Sequence, residues 1–313
     1  MHEPSQEESE LWNKVATSDG LIKADALIEI SYIRSRDQEY EDSLALCETA
    51  KDLYLEKSPE SNHRLAHIYY GIGHSLQNLQ RSSEAAEALM QSALLLEKIG
   101  SEEALHTLNQ VGDAWFEAKD YEKSFKAYKR ALDSANPEAC PAIIARNFVD
   151  AGTALEKMKM WDEALKYFTE ARSRYKIMKD PRLIAHCDEE ISLCYYWLED
   201  GMNALFHAQL ALDYAVTAED PFHSMWSTAR LALANMRLEK YEDAIELFVR
   251  AKSAMTVQEN PPWKAIIKLE RQVANAFRKL GKEETSNEIL RRIKALSEIF
   301  LDEEEVNDAT TGL

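Results

Sequence analysis

A single repeated interval constrains this chain more tightly than its composition does. Small residues recur at Ser31, Gly73, Gly112, Gly152, Ser192, Ala232 and Ala274, at spacings of 42, 39, 40, 40, 40 and 42. Twelve residues beyond each stands a second small residue: Ser43, Ala85, Ser124, Ala164, Ala204, Ala244 and Ser286. The gap of twelve never slips. Four residues further on come Cys47, Leu89, Tyr128, Phe168, Ala208, Phe248 and Leu290, and three beyond those Ala50, Ser92, Ala131, Ala171, Ala211, Ala251 and Ile293. Seven copies of one spacing describe one supersecondary unit stacked on itself, so the length of 313 residues counts repeats rather than unrelated domains.

Each unit reads as two helices. Apolar residues recur three and four apart, as in Ile143, Ile144, Phe148, Ala151 and Leu155, then Trp161, Leu165, Phe168, Ala171 and Tyr175. No segment alternates apolar and polar as a half-buried strand would. Pro141, Pro181 and Pro221 lie 40 apart, and Pro59, Pro137, Pro261 and Pro262 also fall between helical runs. Each is read as a helix start, because a first-turn N–H has no intrahelical partner to lose. The expectation is an all-α chain, a right-handed α-solenoid of about seven antiparallel helix pairs. Its units lie near 21–58, 59–100, 101–139, 140–179, 180–219, 220–260 and 261–300. Residues 1–20 are expected to be a polar tail with a short capping helix over 7–17, carrying Leu11, Trp12 and Val15, and the acidic residues 301–313 to be a disordered tail.

Composition removes several function classes. With a mean hydropathy of −0.44 and no apolar run of about 18 residues, no membrane insertion is expected. A net charge of −18, from 37 basic and 55 acidic residues, argues against nucleic acid or an anionic membrane as partner, since phosphate contacts need a cationic face. The N-terminus lacks a basic segment followed by an apolar run, so a cytoplasmic location is expected. Cys47, Cys140, Cys187 and Cys194 are too few and too irregular for a disulfide framework or a paired-CxxC zinc site, and are read as reduced fillers. Gly71-Ile72-Gly73 sits within a helical run rather than after a strand, and there is no Walker loop, HExxH or nucleophile elbow. His186 and Cys187 are neighbours, about 100° apart on a helix, and cannot form a nucleophile–base pair. No enzyme activity, cofactor or metal is expected.

The pattern resembles the tetratricopeptide repeat. The first-helix pair of that family appears as Ile72-Gly73, Val111-Gly112 and Ala151-Gly152, and its bend aromatic as Tyr40, Tyr121, Trp161 and Tyr241. The period of about 40 is similar to the longer subtypes of the family. A fourth first-helix slot, large and apolar as Leu27, Tyr69, Leu108 and Phe148, becomes Asp188, Thr228 and Glu270 in the last three units, which predicts different packing there. Glu283 at the last bend and Ile293 in place of alanine suit a terminal repeat.

The resemblance implies that the first helices line a concave groove for a protein or peptide ligand. One groove slot reads Asp25, His67, His106, Arg146, His186, Trp226 and Lys268. Its three histidines, a repeat of about 10 Å apart, are too distant to share a zinc ion. Basic residues gather toward the end: Arg230, Arg237, Arg271, Arg278 and Lys279 join Lys268, with Asn275 in an inward slot among them, and residues 261–300 hold nine bases against five acids. An acidic or phosphorylated segment is the ligand this balance fits. The carboxylate clamp of chaperone-binding members needs a lysine and an asparagine one turn apart; Arg271 with Asn275 comes nearest. The principal expectation is a non-catalytic adaptor or scaffold, favoured because only about 20 residues precede the first repeat. The alternative is a peptide-sensing regulator that changes the shape of its coil to control an effector. The acidic run Asp302-Glu303-Glu304-Glu305 is positioned in sequence to screen the basic end.

Overall fold

The computed structural model describes residues 6–136 and 140–300, and all its regular structure is helical. The expectations for Pro137 as a helix start and for the tail 301–313 lie outside the described residues. Contacts gather the chain into two compact units, Met1–Lys159 and Met160–Leu313. The first holds α1 (Gln6–Thr17), α2 (Gly20–Arg36), α3 (Tyr40–Lys57), α4 (Asn62–Asn78), α5 (Ser82–Lys98), α6 (Glu103–Glu117), α7 (Tyr121–Ser134) and α8 (Pro141–Lys157). The second holds α9 (Trp161–Met178), α10 (Pro181–Trp197), α11 (Gly201–Thr217), α12 (Pro221–Arg237), α13 (Tyr241–Thr256), α14 (Trp263–Lys279) and α15 (Glu283–Phe300). Inside each unit every helix packs on the next in sequence. α1 is tied to α2 by the Glu8–Arg34 ion pair, and Val15 packs against the core beneath it.

Local chemistry sets the helix ends. Asp180 and Asp220 accept hydrogen bonds from backbone N–H groups of the first turn while Pro181 and Pro221 take the first helical position, so each Asp-Pro pair is a complete start signal. Pro59 departs from the expectation. It lies in the turn after α3, three residues before α4 begins at Asn62. The far ends repeat as strictly as the small slots. Seven residues beyond each, at Gln38, Gln80, Lys119, Lys159, Glu199, Glu239 and Gly281, the backbone is left-handed. In six of the seven the next N–H reaches back to close the helix, as in Arg81 to the Leu76 carbonyl (2.9 Å) and Lys240 to the Asn235 carbonyl (2.9 Å). Glycine takes this strained position only at Gly281; elsewhere a polar residue carries a cost of about 1 kcal/mol.

The constant gap of twelve has a direct physical cause. Ser124 Oγ donates to the Gly112 carbonyl (2.9 Å) and Ser192 Oγ to the Ala204 carbonyl (2.8 Å), so the two small residues of a unit face each other across antiparallel helices. A Cβ built on Gly112 would stand 2.4 Å from the Tyr128 ring, and one on Gly73 2.5 Å from Leu89. Gly71, two residues earlier, meets nothing nearer than Cys47 Sγ at 3.0 Å. Gly112→Ala is therefore expected to destabilise by about 1–3 kcal/mol through overpacking, despite alanine's better helix propensity. Gly71→Ala, where a single sulfur must shift, is expected to cost less when both variants are unfolded in urea. Equal losses would show that the first-helix glycine is not a close-approach slot.

The predicted difference in the later units is visible as buried charge. Asp188 is fully buried and accepts from Arg172 Nε at 2.7 Å, with His207 Nδ1 at 2.6 Å. Glu270, 3% exposed, accepts from Lys252 at 2.7 Å and pairs with Arg292. The donors Arg172 and Lys252 share one register on the preceding helix, which reads Lys51, Ala93, Leu132, Arg172, Leu212, Lys252 along the chain. Leu108 and Phe148 follow Ala93 and Leu132, Thr228 follows Leu212, and the two buried acids follow Arg172 and Lys252. In the first unit the third base of the register, Lys51, precedes Tyr69 and pairs instead with its neighbour Asp52.

Candidate functional site

Three successive acids of α10 are aimed in three directions by the helical rotation of about 100° per residue. Asp188 turns toward α9 and α11, where Arg172 and His207 hold it. Glu189 and Glu190 turn toward α12, which packs directly on α10. Glu190 pairs with Arg230 at 3.2 Å. Glu189, 3% exposed, lies beside His223 Nδ1 at 3.3 Å and His186 Nδ1 at 3.9 Å, and accepts from Ser227 Oγ at 2.8 Å. Two turns further along, the Arg237 guanidinium donates to the Tyr196 carbonyl (2.8 Å), lies 4.5 Å from the centroid of the Tyr196 ring and reaches Glu199 at 3.4 Å. The common face of α10 and α12 is thereby a row of alternating charges bridging two successive repeats of the second unit.

Of the residues expected to bind a partner, His186, Arg230 and Arg237 come together on this face. Lys268, Arg271 and Asn275 are half-buried on α14, while Arg278 and Lys279 at its end are exposed. His67, His106 and Arg146 belong to the first unit. His67 lies against His63 (3.3 Å between Nε2 atoms), His106 against Gln110 at 3.4 Å, and Arg146 pairs with Asp150 at 3.3 Å. The bases of α10 and α12 are therefore not a simple cationic patch, because each bridging arginine already has an acid. Burial pushes the His186 imidazole toward the neutral form, but its bond to Glu189 and the fields of Glu190 and Glu189 outweigh that and hold its pKa above the ordinary value.

Sequence reasoning missed His223, which lies one turn before the groove slot at Trp226. Its ring nevertheless comes within 5.7 Å of His186, centroid to centroid. It also missed a shallow cleft of about 430 Å³ in the first unit, where Trp115, Met90 and Ala127 form the floor and Lys123, Lys126 and Arg130 the rim. The cysteines are free; Cys47, Cys187 and Cys194 are buried, whereas Cys140, at the N-cap of α8, is partly exposed. Burial pushes the thiols of Cys47 and Cys187 up, away from the reactive thiolate. No described helix is long and apolar enough to cross a membrane.

A family model described as the tetratricopeptide repeat matches residues 148–176, spanning the later part of α8 and most of α9. No curated protein matches the chain by sequence. Among solved structures, a signal transduction ATPase with numerous domains and a tetratricopeptide-repeat sensor, from Pyrococcus horikoshii, is similar with a TM-score of 0.66 at 14% identity. The match covers 97% of this chain but only 45% of that protein. Aspartyl phosphate phosphatase F from Bacillus subtilis is similar at a TM-score of 0.55 and 14% identity, covering 95% of this chain and 76% of that one. A Rap conjugation gene regulator of plasmid pLS20, in complex with a Phr peptide, is similar at a TM-score of 0.50 and 15% identity, covering 100% and 89%. At these identities the likeness is one of fold.

Proposed function

We propose that this tetratricopeptide-repeat protein is a peptide-sensing regulator in which the face shared by α10 and α12 takes an acidic segment of a peptide or protein. The carrying observation is the bridging pair Arg230–Glu190, with Arg237 held alongside by Tyr196 and Glu199. A ligand carboxylate or phosphate competes with Glu190 and Glu199 for the same guanidinium groups. Binding there necessarily rewrites contacts between two successive units, which is how occupancy becomes a structural change. The Trp226 indole N–H on the same face is buried without a hydrogen-bond partner, a cost of about 1–3 kcal/mol that a rearrangement can relieve. Exposed Arg278 and Lys279 extend the positive character along α14.

A sensor and a peptide-bound regulator among the similar folds support this reading over the plain adaptor. No covalent chemistry is part of it; the phosphatase in the same group contributes its fold alone. The test is fluorescence anisotropy with a library of acidic and phosphorylated peptides. Arg237→Glu is expected to weaken the best ligand about tenfold or more, and added salt to weaken the wild type in the same direction. Glu190→Gln, which removes the internal competitor, should tighten binding. A passive scaffold would show the loss with Arg237→Glu but no gain with Glu190→Gln, and binding indifferent to both substitutions would refute the site.

A further inference from the structure

Four carboxylates are buried among the described residues: Glu8, Asp188, Glu189 and Glu270. Three of them have a permanent cation. Glu8 has Arg34, Asp188 has Arg172, and Glu270 has Lys252 and Arg292. Glu189 differs, since its ion-pair partners are the imidazoles of His186 and His223, which carry no fixed charge. Arg230 of α12 pairs with Glu190. A buried carboxylate whose neighbours are charged only when protonated can hold a cation in place of those protons.

We infer that His186, Glu189 and His223 form a binding site for a divalent transition-metal ion, zinc in the first instance. Their ligand atoms all lie within 4.8 Å of one another. A tetrahedral zinc ion with bonds of about 2.0–2.1 Å places its ligands roughly 3.3 Å apart. His223 Nδ1 and the Glu189 carboxylate already stand at 3.3 Å, while His186 Nδ1, 3.9 Å from the carboxylate, and the widest ligand pair, within 4.8 Å, would draw in around the ion. Two imidazoles and one carboxylate select zinc over calcium or magnesium, which prefer all-oxygen sites. Ser227 donates to Glu189 Oε1 and so orients the carboxylate with Oε2 toward His186. The side chain of His186 is 36% exposed, leaving the fourth position open to water or to a ligand group. The ligands come from two helices, α10 and α12, so the ion would pin two successive units together.

The site stands apart from the peptide reading and is tested without any peptide. The full chain, freed of metal with a chelator, is titrated calorimetrically with zinc, and separately with cobalt to follow the visible bands of tetrahedral Co2+. The wild type is expected to bind one equivalent tightly, and His223→Ala, His186→Ala and Glu189→Gln each to weaken that binding at least tenfold. Ser227→Ala should weaken it about tenfold or more by releasing the carboxylate. Binding should fade as pH falls below about 6, where protons compete for the imidazoles. The His63–His67 pair, with ring centroids 4.5 Å apart, is the internal control: His63→Ala should leave the site intact. Absence of zinc binding, or binding lost with His63→Ala and kept with His223→Ala, overturns the assignment. Half-exposed His186 keeps the result interpretable should Glu189→Gln disturb folding.

Discussion

Arg172→Leu is expected to destabilise the second unit by about 3–5 kcal/mol, because it leaves the fully buried Asp188 carboxylate without its guanidinium and beside the His207 imidazole. The chain itself supplies the rescue. One repeat later the same two positions are Leu212 and Thr228, an uncharged pair in equivalent register. The double variant Arg172→Leu with Asp188→Thr copies that pair and should return most of the lost stability, to within about 1 kcal/mol of the wild type, as buried ion pairs generally tolerate replacement by well-packed uncharged groups. Chemical denaturation of the four proteins of this cycle measures the coupling directly. Additive losses would mean that the two positions do not communicate and that the register described above is wrong.

Phe248→Ala is expected to be comparably damaging, at about 3–5 kcal/mol, since Phe248 is fully buried among Met225, Ala229, Leu233, Met255 and Ile266. In a repeat protein, stability is close to a sum of local and nearest-neighbour contributions. The damage should therefore be local: amides of α12–α14 exchange faster while those of α4–α6 keep their protection. Val249→Ala, one residue along at a side chain 43% exposed, should change stability by less than about 0.5 kcal/mol. Uniform loss of protection across both units would contradict the nearest-neighbour picture.

How much was legible in the sequence follows from which physical rules have a one-residue signature. A close helix crossing admits no side chain, so Gly112 and Ser124 announce themselves wherever they stand in a list of residues. Helix starts at Asp180-Pro181 and Asp220-Pro221 are equally plain. Asp188 and Glu270 looked like departures because the residues that satisfy them lie 16 and 18 positions earlier, on another helix and in a different slot. Only reading both registers together sets Arg172 against Asp188 and Lys252 against Glu270. His223 is hidden for a related reason: it stands a turn away from the repeat-spaced histidine slot, yet α10 and α12 bring it beside His186. The cationic end of the chain was read from charge counts, which cannot reveal that Arg230 and Arg237 are already engaged by Glu190 and by Tyr196 and Glu199.

The central claim is that ligands are taken by the first helices of the later units, where acid and base already bridge α10 and α12. Hydrogen–deuterium exchange of the full chain with and without its best acidic peptide tests this most directly. Protection should appear along α10 and α12 and extend to α14, with a change at the Arg230–Glu190 contact that Glu190→Gln reproduces in the absence of peptide. Protection confined to α11, α13 and α15, or to the Trp115 cleft of the first unit, would contradict the account.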